Sequence, residues 1–230
     1  MYDDDHCLTR YRLLQKVDPE AFENPPGCPT NILLETDQIK AACRAVEAER
    51  AAAGIETPDL RVGVLAEDCY IGKIVRDAVR FSDDRYGLYN RVVATGGITV
   101  LPILSDGSIA LIRIFRHAPR RWFLEAPQGL LAEGADPAEE TRRELLEEME
   151  AEAAEVIFLG NIFTSTAMTS EMLKMFAARV TKTGAPQRSE GIEAVQIIQN
   201  ADIDRLLLDG TICDGPTTAL IAHARLRKLL

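Results

Sequence analysis

The run Glu125-Ala126-Pro127-Gln128-Gly129-Leu130-Leu131-Ala132-Glu133-Gly134-Ala135-Asp136-Pro137-Ala138-Glu139-Glu140-Thr141-Arg142-Arg143-Glu144-Leu145-Leu146-Glu147-Glu148-Met149-Glu150 joins a strand end, a glycine-punctuated loop and a helix. Asp136 is placed to cap the helix, Pro137 takes its first position, and Glu139 follows three residues after the cap. Along this helix Glu140, Glu144, Glu147 and Glu148 share one side, while Ala138, Thr141, Leu145 and Met149 line a side able to pack on a sheet. Like charges at this spacing repel, by about 0.2–0.5 kcal/mol per pair on an exposed helix. A cation should offset them. Arg143 is one, lying four residues from both Glu139 and Glu147; a divalent ion, which prefers hard oxygen ligands, is another.

Outward from this run, strands and helices alternate. Gly97–Leu104 and Ile109–Phe115 flank Ser105-Asp106-Gly107-Ser108 and read as a β-hairpin. Further strands are expected at Arg91–Val93, Trp122–Leu124, Val156–Leu159, Leu173–Ala178 and Ala194–Ile198, and helices at Asp136–Glu152, Ala201–Leu208 and Pro216–Leu229. Strands interleaved with helices place the chain in the α/β (α+β) class, with a sheet covered on both faces. Trp122, the single tryptophan, reads as core packing. Residues 1–60 differ in texture: a breaker cluster at Glu23–Pro29 precedes a helix capped at Thr36-Asp37 and stopped at Gly54. They form a short, mostly helical N-terminal extension, and 61–230 the main domain.

Composition narrows the function classes. The 230-residue chain carries a formal net charge of −10, against a protein whose affinity comes from neutralising nucleic-acid phosphates. No apolar run reaches the roughly 18 residues of a membrane span, and the acidic start is unlike a secretion signal. A soluble, cytoplasmic protein is expected, with no nucleic-acid or membrane partner. Five scattered cysteines without a Cys-x-x-Cys pair fit neither a disulfide framework nor a zinc ribbon, and the three histidines lack metal-ligand spacing.

The central run resembles the signature of the Nudix hydrolases: Gly, five residues, Glu, seven residues, then Arg-Glu-apolar-x-Glu-Glu-x-Gly-apolar. The match falls on Gly129, Arg143, Glu144, Leu145, Glu147, Glu148 and Ala151, with departures at Ala135 and Glu150. Leu111–His117, Trp122–Gly129, Ser189–Glu193 and Leu208–Thr218 resemble segments of the branch acting on ADP-ribose and nucleoside diphosphate sugars. Ser165-Thr166-Ala167 stands where ADP-ribose hydrolases commonly carry Ser-Pro-Gly. The resemblance implies an α/β/α sandwich with a mixed sheet and a metal-dependent pyrophosphohydrolase of nucleoside diphosphates linked to another group X. It implies Mg²⁺ or Mn²⁺ held by Glu144, Glu148, Glu147 and the Gln128 carbonyl, with Arg143 orienting the cluster. Glu190 is the implied general base, Glu193 its neighbour and substitute. Arg116 is a candidate clamp for the diphosphate, and Glu125 supports the metal shell or the loop. The branch further implies a homodimer. The two departures leave open a catalytically silent Nudix-fold module that binds a nucleotide or a protein.

Overall fold

A computed structural model describes residues 4–56, 59–132, 134–185 and 191–230. The elements in chain order are α1 (Asp4–Val17), a 3₁₀ turn (Glu20–Phe22), β1 (Thr30–Ile32), α2 (Thr36–Ala52), β2 (Gly63–Asp68), β3 (Gly72–Phe81), β4 (Tyr86–Val93), β5 (Gly97–Ile103) and β6 (Ile109–Arg116). There follow β7 (Arg121–Glu125), β8 (Gln128–Leu130), α3 (Pro137–Met149), β9 (Ala153–Phe163), β10 (Met172–Val180), β11 (Ile192–Ile198), α4 (Asn200–Leu208) and α5 (Gly215–Leu226). Among the described residues no helix is long and apolar enough to cross a membrane.

The chain divides into two compact units, Met1–Ala94 with Thr166–Ser170, and Thr95–Ser165 with Glu171–Leu230. The expected break at 60/61 does not coincide with this division. β3 pairs with β1, β2 and β4 in a four-stranded sheet, so the segment beyond residue 61 completes the first unit instead of opening the second. α2 ends at Ala52, in line with the stop expected at Gly54. The cap of α2 is Glu35, which makes no side-chain cap bond, rather than Thr36-Asp37. Inside this unit the buried carboxylate of Asp77 on β3 accepts from the Tyr11 hydroxyl of α1 and from Arg91 Nε of β4 at 2.6 Å. Burial, then the Asp77 charge, pushes the Tyr11 phenol well above its ordinary range.

The second unit is an α/β/α sandwich on a seven-stranded mixed sheet, ordered β11-β6-β5-β10-β9. β5 and β10 run parallel, and β6 with β11 and β9 with β10 run antiparallel. Successive residues of β5 point to opposite faces. Ile98 and Val100 pack with Leu145 and Met149 of α3, while Leu101 and Ile103 pack with Ile203 of α4 and Leu220 of α5. Each helix buries an apolar stripe that alone would be left against water.

The expected hairpin is present, but its strands part almost at once. β5 and β6 are paired at Ile103↔Ile109. Beyond that point β6 takes β7 as its partner and β5 takes β8. The sheet therefore forks, and Glu125-Ala126-Pro127-Gln128 crosses from one arm to the other. α3 stops at Met149, short of the expected Glu152, because Glu150 adopts a left-handed conformation with φ 49°.

The β5–β8 arm tolerates no side chain at position 97: a Cβ there would lie 2.4 Å from the Gly129 carbonyl oxygen. Gly97→Ala is expected to destabilise the protein by about 1–3 kcal/mol, the cost of an overpacked site, measured as a lowered urea midpoint. An unchanged midpoint would show that β8 is free to move.

Candidate functional site at the fork of the sheet

α3 starts where local chemistry says it should. The Asp136 carboxylate accepts the Ala138 amide at 2.8 Å, and Pro137 occupies the first turn, where no backbone donor is missed. This fixes the helical phase. Thr141, Leu145 and Met149 go into the core, and Glu144 and Glu148 fall beside them at 7% and 3% exposure. The acidic side is therefore divided: the Glu147 side chain is 43% exposed and turned outward.

Arg143 gathers the outer acids. Its guanidinium donates to Glu140 Oε2 at 2.9 Å, to Glu147 Oε2 at 2.5 Å and to Glu144 Oε1 at 2.5 Å. The bonds to Glu140 and Glu147 raise its already high pKa, so it stays charged. Each bond of a half-exposed arginine contributes little stability. Their common effect is geometric, since one rigid fork holds the Glu144 carboxylate from its outer side.

From the inner side Glu144 meets backbone. A Cβ built on Gly129 would lie 2.3 Å from the Glu144 carboxyl carbon and 2.3 Å from its Oε1, so only glycine admits this approach. On the other arm, Glu125 is 3% exposed and accepts through Oε2 from Arg116 Nε at 2.9 Å and Nη2 at 2.6 Å. Burial raises the Glu125 pKa, the Arg116 pairing opposes that, and the Asp214 charge adds to it. For Arg116 burial, the largest single effect, favours loss of the charge; the bond to Glu125 and its charge, with the fields of Glu148 and Asp214, together outweigh it and raise its pKa. Arg116 is thus the shared counter-charge of three acidic groups.

The fork accordingly brings together Arg116, Glu125, Gln128, Gly129, Glu144 and Glu148. Glu147 and Arg143 stay on its outer rim. Glu190 lies outside the described residues. Glu193 is paired instead with Arg113, its side chain 51% exposed. Trp122 is 42% exposed rather than in the core, edge-on to Phe115 with the Arg113 guanidinium 4.5 Å from its ring centroid. On β7 it sits two residues before Leu124, nearer the strand's outer end, where helix cover has run out.

Two residues of the site went unassigned in the sequence. Asp214 caps α5, accepting the Thr217 amide at 2.9 Å, and also accepts Gln128 Nε2 at 3.3 Å. Thr217, fully buried, accepts the Ala126 amide through its hydroxyl at 2.9 Å. Asp214-Gly215-Pro216 repeats the acid-and-proline start of α3, a signal for a helix start but not for its partners.

Among the described residues no three Asp, Glu, His or Cys side chains form a ready-made metal cage. The donors that are present are two buried carboxylates one helical turn apart, Glu144 and Glu148, the first of them closed against a glycine loop with free space for no side chain. Such a set suits a hard cation that takes one or two carboxylates and completes its shell with water and phosphate oxygens.

The NUDIX domain family matches residues 95–220. An ADP-ribose pyrophosphatase of Bacillus subtilis is 23% identical over 174 residues, spanning 73% of this chain and 94% of that protein. A methanol dehydrogenase activator of Bacillus methanolicus is 22% identical over 178 residues, with the same coverage of 73% and 94%. The crystal structure of an ADP compounds hydrolase superposes with a TM-score of 0.62 at 20% identity, covering 70% of this chain and 88% of that one. At that identity the superposition establishes the fold alone.

Gly129→Ala should drive the Glu144 carboxylate from its seat. Calorimetric titration with Mn²⁺ is expected to show affinity at least about tenfold weaker than in the unmodified protein, the scale of a displaced ligand support. Equal affinity would mean that the close approach is irrelevant to cation binding.

Proposed function

We propose that this chain, which belongs to the NUDIX domain family, is a metal-dependent pyrophosphohydrolase that cleaves the diphosphate between a nucleoside and a second group X, with ADP-ribose and nucleotide sugars as the substrate class. The observation that carries the reading is the pair of buried carboxylates, Glu144 and Glu148, one turn apart on α3, with Glu144 seated against the Gly129 loop. The similarity to the Bacillus subtilis ADP-ribose pyrophosphatase supports the substrate class.

Glu144 and Glu148, with the Gln128 backbone carbonyl, would hold Mg²⁺ or Mn²⁺. Such an ion neutralises developing charge on the diphosphate oxygens and makes an attacking water more acidic. Arg143 keeps Glu144 from rotating away and holds Glu147 at the rim, where that carboxylate can accept from a water of the ion's shell. Arg116 pairs with the buried Glu125 and opposes the cost of burying its charge, and its unshared N–H groups can donate to a phosphate oxygen. Glu190 is proposed to accept the proton of the attacking water, within about 3 Å of it. A homodimer and the cytoplasm complete the proposal as its setting.

One observation favours a silent nucleotide-binding module: Ala135 and Glu150 replace two signature residues. The structure weakens half of that argument. Glu150 adopts the left-handed turn a glycine would make, and its Oε2 accepts the Ala185 amide at 3.2 Å. The end of α3 survives the substitution.

Phosphorus NMR over ADP-ribose, nucleotide sugars, dinucleotides and nucleoside triphosphates, each with Mg²⁺ or Mn²⁺, separates the two readings. A nucleoside monophosphate and phosphorylated X are the expected products. Glu148→Gln should lower turnover by at least about 100-fold while the circular dichroism spectrum stays intact. Ligand-induced stabilisation without product from any substrate would establish the silent module instead.

A further inference from the structure

The site depends on a helix that contributes no residue to the signature. Ala126 lies in the strand-crossing segment of the fork, fully buried, between Glu125 and the Gln128-Gly129 turn. Its amide has no strand partner, because it falls between β7 and β8, and it donates to the Thr217 hydroxyl of α5 at 2.9 Å across 91 residues of sequence. That hydroxyl donates to Asp214 Oδ2 at 2.7 Å. The same oxygen accepts the Thr217 amide at 2.9 Å and Gln128 Nε2 at 3.3 Å. The crossing segment is therefore held at both ends, at Ala126 by Thr217 and at Gln128 by Asp214. Thr217 and Ala126 are fully buried, so water cannot replace the bond between them.

We propose that Thr217 and Asp214 are positioning residues that set the Ala126–Gln128 segment, and with it the Gln128 carbonyl and the Gly129 seat of Glu144, for divalent-cation binding. The inference rests on the metal-site reading above and extends it to a helix outside the signature. The hydroxyl has two simultaneous duties, accepting from the segment and donating to the cap. A residue of the same shape without it would fill the space and release the segment. Serine would keep both bonds.

Electron paramagnetic resonance of Mn²⁺ added to the full chain tests this without any substrate. Thr217→Val is expected to weaken Mn²⁺ binding at least about tenfold, the effect typical of losing a support behind a metal ligand, and Thr217→Ser to return it to within about twofold of the unmodified protein. Valine matches threonine in shape; if the valine variant nevertheless fails to fold, Gln128→Met removes the tie to Asp214 alone and should weaken binding about tenfold, the lower end of such effects. Unchanged Mn²⁺ affinity in a folded Thr217→Val or in Gln128→Met overturns the assignment, as does a serine variant as weak as valine. If the unmodified protein binds no Mn²⁺, the metal-site reading falls and this inference with it. Binding that is present and indifferent to residue 217 removes the inference alone.

Discussion

Glu144 and the backbone of Gly129 come closer than any side chain at position 129 would permit, and the rest of the site is arranged around that contact. A Cβ there would lie 2.3 Å from the carboxylate. The approach requires β8 to be held against β5, α3 to have the right phase, and the carboxylate to be kept from swinging into water. Each requirement has its own device: the Gly97–Gly129 crossing, the Asp136 cap, and the Arg143 fork. The split of the sheet supplies the space. Where β6 and β5 part, each recruits its own short partner, and the chain linking those partners carries the buried Glu125 and Ala126 between them.

Electrostatics imposes the second constraint. Glu125, Glu144 and Glu148 are almost fully buried, and an ionised carboxylate without a partner in such surroundings costs several kcal/mol. The chain answers with two arginines of different kinds. Arg116 is enclosed and faces Glu125 directly, with Glu148 and Asp214 in its field; Arg143 is half exposed and grips from outside. These pairings offset part of the cost of burying a compact cluster of hard oxygen donors in an acidic protein. The excess of negative charge there matches a cation brought in with an anionic diphosphate.

How much of this the sequence disclosed follows from the range of the interactions. The start of α3, the β5–β6 hairpin and the phase of Glu144 and Glu148 are set by neighbours within a few residues, and they were legible. The outward turn of Glu147 was less so, since its distance from the buried stripe is only a fraction of a helical turn. The four strands beside α1 and α2 were mostly missed: the three residues of β1 are too few to show a period, and charges interrupt β2 and β3. Trp122 read as core because large aromatics usually are, yet it lies where the helices no longer cover the sheet. Asp214 and Thr217 could not be assigned, because their partners at Ala126 and Gln128 are 91 and 86 residues away. No local pattern encodes such a bond.

The departure at Glu150 shows how a signature can erode while its geometry persists. Glu150 takes a conformation in which glycine costs least, and its side chain is anchored through the Ala185 amide. The central claim is that Glu144 and Glu148 share one divalent ion at the fork. Anomalous diffraction from crystals soaked in MnCl₂ tests it most directly. A manganese peak within about 2.0–2.4 Å of an oxygen of each carboxylate, the range of hard-cation ligands, is the result the account requires. A fork that stays without anomalous signal at saturating manganese, in crystals that take up the ion elsewhere, would contradict it.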